Sequence, residues 1–496
     1  MAAAADRVAR EDLVMFINAC FACTGQREFY ADAAGQRVAI GFLHEYILGN
    51  YRRMYARSLA AGINDFARAT AVVQLLATGK SAAPEDREEE GRLIAAALDS
   101  LPVHRAYRAL GALRDARVNN RRARAIVRDF LASRRDLPFE AVKYRGALRA
   151  AAVHAHVPLP PSEEVGAFLF RGHEGRTFRT PIFDAFRRAH FSEAAIYELP
   201  YTIAEGLAAG RVARDVFLKR IEPRLTAAER LRLQAASERE LGRSFELDLG
   251  TAPLGKLASW VVSLPASERE RRRAELTAAL EKAADRAVAR TGARFGRVVA
   301  VLDSSYSASG SSDKRRRPLA VALASSFFLR AASSEYRALW TGGARDELLV
   351  TARGATDLAT PLLDALEHGA DTIAIVSDGY ENDPPAGAGE VLRVWSARLR
   401  GRGAPFVVHM NPVFDSEGYE PRSLSRVIPT VGLRDAEDIP TMIAFARFAC
   451  GDAPLDELED YLGRRAQRFV EAMERRRGRR AREAGAAIDE TEGGVS

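Results

Sequence analysis

Cysteine is scarce in this 496-residue chain, with three residues in all, and that excludes a disulfide-stapled secreted scaffold. No apolar run approaches the ~20 residues that a membrane-crossing helix needs. Met1 to Arg10 holds no apolar core of a secretory signal. The expectation is a soluble protein of the cytoplasm with no membrane partner. Two motif fragments also lack their other halves. Thr78-Gly79-Lys80-Ser81 looks like the end of a phosphate-binding loop, but the earlier glycine would fall at Gln74, within an apolar helix that no strand precedes. A helix end at Gly79 accounts for it better. Cys20-Phe21-Ala22-Cys23 has paired spacing, yet the remaining cysteine is the distant Cys450, so no four-ligand zinc site closes. A buried helix face is the simpler reading, and His44 in Leu43-His44-Glu45-Tyr46 reads as a packing residue. Nothing pairs a nucleophile with a base, so the chain is read as a non-enzyme.

What is present describes a folded protein long enough for two or more domains, with 47% hydrophobic and 28% charged residues. The net charge is +7 and arginine dominates the excess. That excess fits a solvated surface as well as a nucleic-acid partner. From Glu11 to about Leu249 the pattern is helical, as in Gly41–Leu48, Phe66–Leu76, Ile94–Leu101 and Ala123–Leu131. Breaks fall at Leu101-Pro102, Leu137-Pro138, Pro158 to Pro161, Thr180-Pro181 and Glu222-Pro223. Short amphipathic helices on short loops predict stacked pairs, a HEAT-like solenoid, although no exact repeat unit is visible. The expected division is a helical domain over 1–255, a connecting helix over 256–292 that carries the charged Ser267–Arg290 segment, an α/β domain over 293–450, and a tail over 451–496. The tail is expected to run as a helix from Leu455 to about Arg482, pass the run Arg475-Arg476-Arg477-Gly478-Arg479-Arg480, and end disordered.

The most informative stretch is Asp303-Ser304-Ser305-Tyr306-Ser307, which follows the buried-looking strand Val298–Leu302. Gly354-Ala355-Thr356-Asp357-Leu358 opens a helix with apolar residues at Leu358, Leu362, Leu363 and Leu366. Ile373–Val376 then runs into Ser377-Asp378-Gly379. Strands alternating with helices imply a doubly wound parallel sheet, whose ligands bind beyond the carboxyl ends of the strands. Asp303, Ser305, Ser307, Thr356 and Asp378 all fall there, and hydroxyls with carboxylates suit a hard divalent cation. Over roughly Arg294 to Cys450 this pattern resembles the metal-ion-dependent adhesion site of a von Willebrand factor A domain. The resemblance implies that Ser305, Ser307 and Thr356 offer hydroxyls, and that Asp303 and Asp378 hold the ion directly or through water. It also implies Mg2+, with Mn2+ as the other choice, and a coordination position left for a partner protein's carboxylate. Lys314-Arg315-Arg316-Arg317 flanks the loop; it either attracts an acidic ligand or is a solvated loop, and the second is preferred.

A helical module followed by such an α/β domain resembles the Ro family, in which a TROVE module precedes a von Willebrand A domain. The likeness rests on Ala141-Val142-Lys143-Tyr144-Arg145, Leu148-Arg149 and His154-Ala155-His156-Val157-Pro158, and on Tyr197-Glu198-Leu199-Pro200-Tyr201, with Tyr where the family has Trp. The resemblance implies a bacterial Ro-like ribonucleoprotein, a monomeric ring that binds small structured or misfolded RNA. Candidate RNA contacts are Arg121, Arg122, Arg124 and Arg128, then Lys143, Arg145, Arg149 and His156. Arg121, Arg124 and Arg128 share a helix face by spacing. The plainer reading pairs these arginines with Asp129, Asp136 and Glu140. The alternative function is a metal-dependent adaptor that works with a MoxR-type AAA ATPase and binds no RNA.

Overall fold

A computed structural model describes the chain except for residues 1, 31, 159–163, 173–175, 400, 402, 451–453 and 493–496, and it describes only the backbone of 2, 3 and 480–492. Part of the expected break at Pro158 to Pro161 and the very end of the tail lie outside the described residues. The chain divides into two compact units. One joins Met1–Met54 and Ala61–Ala67 to Asp248–Leu462; the other comprises Tyr55–Ala60, Arg68–Leu247 and Gly463–Ser496.

The first unit is built on a parallel sheet of β1 (Phe295–Leu302), β2 (Ser333–Trp340), β3 (Thr372–Val376), β4 (Phe406–Asn411) and β5 (Thr430–Gly432), in the order β2-β1-β3-β4-β5. Val298 to Leu302, Ile373 to Val376 and Val407 to Asn411 are buried without alternation, as parallel strands covered on both faces must be. One cover is the helix Arg317–Ala332, almost wholly buried, with Leu254–Ser263 and Arg273–Thr291 packed on it. On the other, Leu358, Leu362 and Ala365 of the helix region Ala359–Glu367 join Leu392 and Trp395 of Gly387–Arg398 against Val299, Val301, Ile373 and Ile375.

The helix Ala2–Ala22 belongs to this unit, although its periodicity reads like that of the helical domain. It packs on β5 and on the helix Ile439–Ala449, where Asn18 donates its amide to the Thr430 carbonyl at 3.2 Å. A Cβ on Gly432 would stand 2.3 Å from the Asn18 carbonyl oxygen, so only glycine lets helix and strand meet. Cys20 and Cys23 lie fully buried at the end of that helix, and His44 is buried edge-on to Phe16 at 5.1 Å. These three match the packing roles read from the sequence.

The second unit is helical. Arg87–Ser100 packs on Arg121–Ala132, Val103–Asp115 on Arg145–His154, and Arg214–Ile221 on Ala227–Leu241. Its core includes the rings of Phe168, Phe178, Phe183 and Phe186, and a buried Glu140 that takes the Arg134 guanidinium at 2.6 Å and the Tyr107 hydroxyl at 2.8 Å. The charged segment expected as one connecting helix forms two, Ala266–Arg271 and Arg273–Thr291. The C-terminal helix runs from Leu455 to Glu492 instead of ending near Arg482. Among the described residues no helix is long and apolar enough to cross a membrane.

Candidate metal centre

The chain order and the spatial order of the strands part company at β1 and β3, which are neighbours although β2 lies between them in sequence. Connections leave such a pair toward opposite faces of the sheet, and the crevice between them is the usual ligand position of an open α/β fold. Asp303 follows β1 directly and Asp378 follows β3 by one residue, so both carboxylates stand at this switch point. The Asp303 N–H donates to the Val376 carbonyl at 3.0 Å, which locks the two strand ends together.

Local hydrogen bonds shape the first loop. The Asp303 carboxylate accepts the Ser305 N–H at 2.8 Å, and Ser304 turns away to bond Thr341 at the end of β2. That turn points Ser305 and Ser307 the same way, and their hydroxyl oxygens meet at 3.1 Å. The Asp378 carboxylate accepts the Tyr380 N–H at 3.0 Å. Gly379 is essential to this turn: its φ is +78°, and a Cβ there would lie 2.7 Å from the Arg422 carbonyl.

Thr356 is held nearby through backbone. The Tyr306 N–H donates to the Gly354 carbonyl at 3.1 Å, and the Asn382 side chain accepts the Thr356 N–H at 2.7 Å. Asn382 escaped the sequence reading, since nothing local marks an amide as the brace of a loop 26 residues earlier.

Asp303, Ser305, Ser307, Thr356 and Asp378 are each between 1% and 6% exposed. Burial, and then the charge of Asp378, push the Asp303 carboxyl well above the usual carboxylate range, and burial raises Asp378 too. Like charges buried together are stable only when something positive or a proton joins them. Among the described residues no group of three or more His, Cys, Asp or Glu side chains could hold a metal. The donor set here is instead two carboxylates and three hydroxyls, all oxygen, which suits Mg2+ or Mn2+ and not a soft ion.

The flanking basic run is not wholly solvated. Lys314 is 7% exposed and its ammonium pairs with the buried Glu28. Arg317 donates to the Pro412 carbonyl at 2.6 Å, while Arg315 and Arg316 are exposed.

The RNA candidates lie in the helical unit. Arg121, Arg124 and Arg128 are exposed along the helix Arg121–Ala132, opposite a buried face of Ala123, Ile126, Val127, Phe130 and Leu131. Arg128 pairs with Asp129 at 3.2 Å, and Arg122 reaches the buried Glu90 at 2.7 Å. Lys143 donates to the Thr202 carbonyl. Arg145 lies over the ring of Phe186 and Arg149 over that of Phe170, while His156 is exposed.

No family model matches the sequence, and no curated protein matches it. Among solved structures, the chain is similar to the Ro (RSR) protein of Deinococcus radiodurans, at 14% identity over 90% of this chain and 100% of that one, with a TM-score of 0.44.

Proposed function

We propose that this protein is a two-part adhesion protein: an α/β module that grips an acidic partner through a divalent cation, and a basic helical module that binds structured RNA. The observation that carries the reading is the buried oxygen set of Asp303, Ser305, Ser307, Thr356 and Asp378 at the β1/β3 switch point. Mg2+ there would supply a Lewis-acidic seat for a partner's carboxylate. Ser305 and Ser307, turned together by the Asp303 loop, would present hydroxyls to it, and the two aspartates would balance its charge. Nothing in this set activates a nucleophile, so the role is binding.

RNA binding is the Ro-type part of the reading, supported by the exposed row Arg121, Arg124 and Arg128 and by the Lys143-Tyr144-Arg145 segment. Reversing Arg121, Arg124 and Arg128 to Glu should weaken binding across RNA sequences and lower the salt slope by about two to three units. Protein purified without nuclease should carry small RNA at moderate salt. Clean protein that also ignores added structured RNA would favour the adaptor reading, in which the helical unit grips protein. The ties of Arg122 to Glu90 and of Arg128 to Asp129 speak for that second reading, because those charges already have partners.

A further inference from the structure

A site meant to receive a partner's carboxylate should be reachable, yet its five residues are nearly inaccessible. Part of the cover comes from far away in sequence. Residues 24–30, which follow the helix Ala2–Ala22, cross the mouth of the metal centre within the same unit. Arg27 offers its carbonyl to the Ser311 hydroxyl at 2.7 Å, and Glu28 pairs with Lys314 in the loop that follows Ser307. Phe29 meets the ring of Tyr306 edge-on at 6.0 Å. Tyr30 lies on Tyr380 with 4.0 Å between ring centres, and the Arg422 guanidinium lies 4.2 Å from the same Tyr380 ring. Between Glu28, Tyr30, Asp378, Tyr380, Phe414 and Arg422 there remains a cavity of about 10 Å³, room for a single water and not for a carboxylate side chain.

We propose that Thr24–Tyr30 is a built-in strap that closes the cation site, with Tyr30 resting on Tyr380 beside Asp378, where the partner's carboxylate must enter. This rests on the cation reading above. The two ends of the strap are unequal. Glu28 is buried and anchored, whereas Tyr30 is 51% exposed and held by ring contacts. Opening therefore begins at Tyr30, while the Glu28–Lys314 pair acts as the hinge anchor. The acidic partner competes with an aromatic ring of the protein's own chain, so it binds only when its remaining contacts exceed what the strap loses.

The test uses the full chain, with Eu3+ as probe cation and acetate as probe carboxylate. Emission lifetimes in H2O and D2O count the waters on the ion, and titration with acetate reads access to it. Tyr30→Ala removes the ring from an exposed position, Phe29→Ala is a second way to loosen the strap, and Asp303→Ala is the control for the site. The strap predicts that Tyr30→Ala adds coordinated water and raises acetate affinity roughly two- to tenfold, the range expected from losing one ring stack. If wild type binds Eu3+, Asp303→Ala does not, and neither strap variant changes water count or acetate affinity, the strap is refuted and the cation site stands. If wild type and Asp303→Ala bind Eu3+ alike, the cation site and the strap fall together.

Discussion

Replacing Glu28 with Ala tests the packing beside the metal loop. The Glu28 and Lys314 side chains are only 2% and 5% exposed, and the ion pair joins positions 286 residues apart. Truncating one partner leaves the other charge buried without compensation, which costs about 3–5 kcal/mol. The structure sets a ceiling on that cost. Burial, and then Arg317, already lower the Lys314 pKa from 10.5, and without Glu28 the amine can give up its proton. Doing so at pH 7 costs at most about 5 kcal/mol, and at pH 9 about 2 kcal/mol. The folded variant would bind fewer protons than the unfolded chain, so its stability rises with pH over this range. Glu28→Ala should therefore lose about 3–5 kcal/mol at pH 7 and recover about 2–3 kcal/mol of it at pH 9 relative to wild type. Urea unfolding followed by tryptophan fluorescence isolates the right unit, because all three tryptophans, Trp260, Trp340 and Trp395, lie in the unit that holds the pair. The double variant Glu28→Leu with Lys314→Met should regain most of the loss, since no charge is then stranded. A loss below about 1 kcal/mol at pH 7, or one equal at pH 7 and pH 9, would refute a buried pair.

Two buried histidines of the same unit oppose folding in acid, while the buried carboxyls of Asp303, Asp378 and Asp438, raised by burial, act in the opposite sense. Burial holds His44 neutral, with its pKa lowered from 6.5 to about 3, and lowers that of His409 to about 4, so the unfolded chain binds more protons as pH falls below 6.5. Each histidine should remove about 2 kcal/mol between pH 7 and pH 5, so His44→Leu should make the pH 7-to-5 change in stability about 2 kcal/mol more favourable than in wild type; an identical change in the two proteins would contradict the reading. Gly432→Ala should cost about 1–3 kcal/mol through the clash with the Asn18 backbone, seen as a lower thermal midpoint, whereas an unchanged midpoint would mean that the N-terminal helix can shift off β5.

Much of the candidate site was legible because its signals are local. Asp303-x-Ser-x-Ser directly follows the apolar run Val298–Leu302, and Ser377-Asp378-Gly379 follows Ile373–Val376, so strand burial and loop chemistry sit side by side in the sequence. Helices of the second unit announced themselves through their spacing, as Ala123, Ile126, Val127, Phe130 and Leu131 do. Three things were not legible, each for a physical reason. β2 reads Ser-Ser-Glu-Tyr-Arg-Ala-Leu-Trp, half polar because it lies at an edge of the sheet, so it lacks the apolar run that marks β1 and β3. The helix Ala2–Ala22 has the same period whichever unit it joins, and only tertiary packing on β5 assigns it. The strap residues Glu28, Phe29 and Tyr30 meet partners hundreds of positions away, and no spacing rule reaches that far. Lys314 shows the cost of local reading: within a run of cations it looks solvated, yet an acid from the far end of the chain buries it.

The cation is the centre of the account, and calorimetric titration of Mn2+ into the full chain tests it most directly. Wild type should bind one ion at the β1/β3 switch point, and Asp303→Ala should bind none while keeping the wild-type circular dichroism and urea midpoint or exceeding that midpoint. Equal binding by both proteins, or none by wild type at millimolar Mn2+, would contradict it.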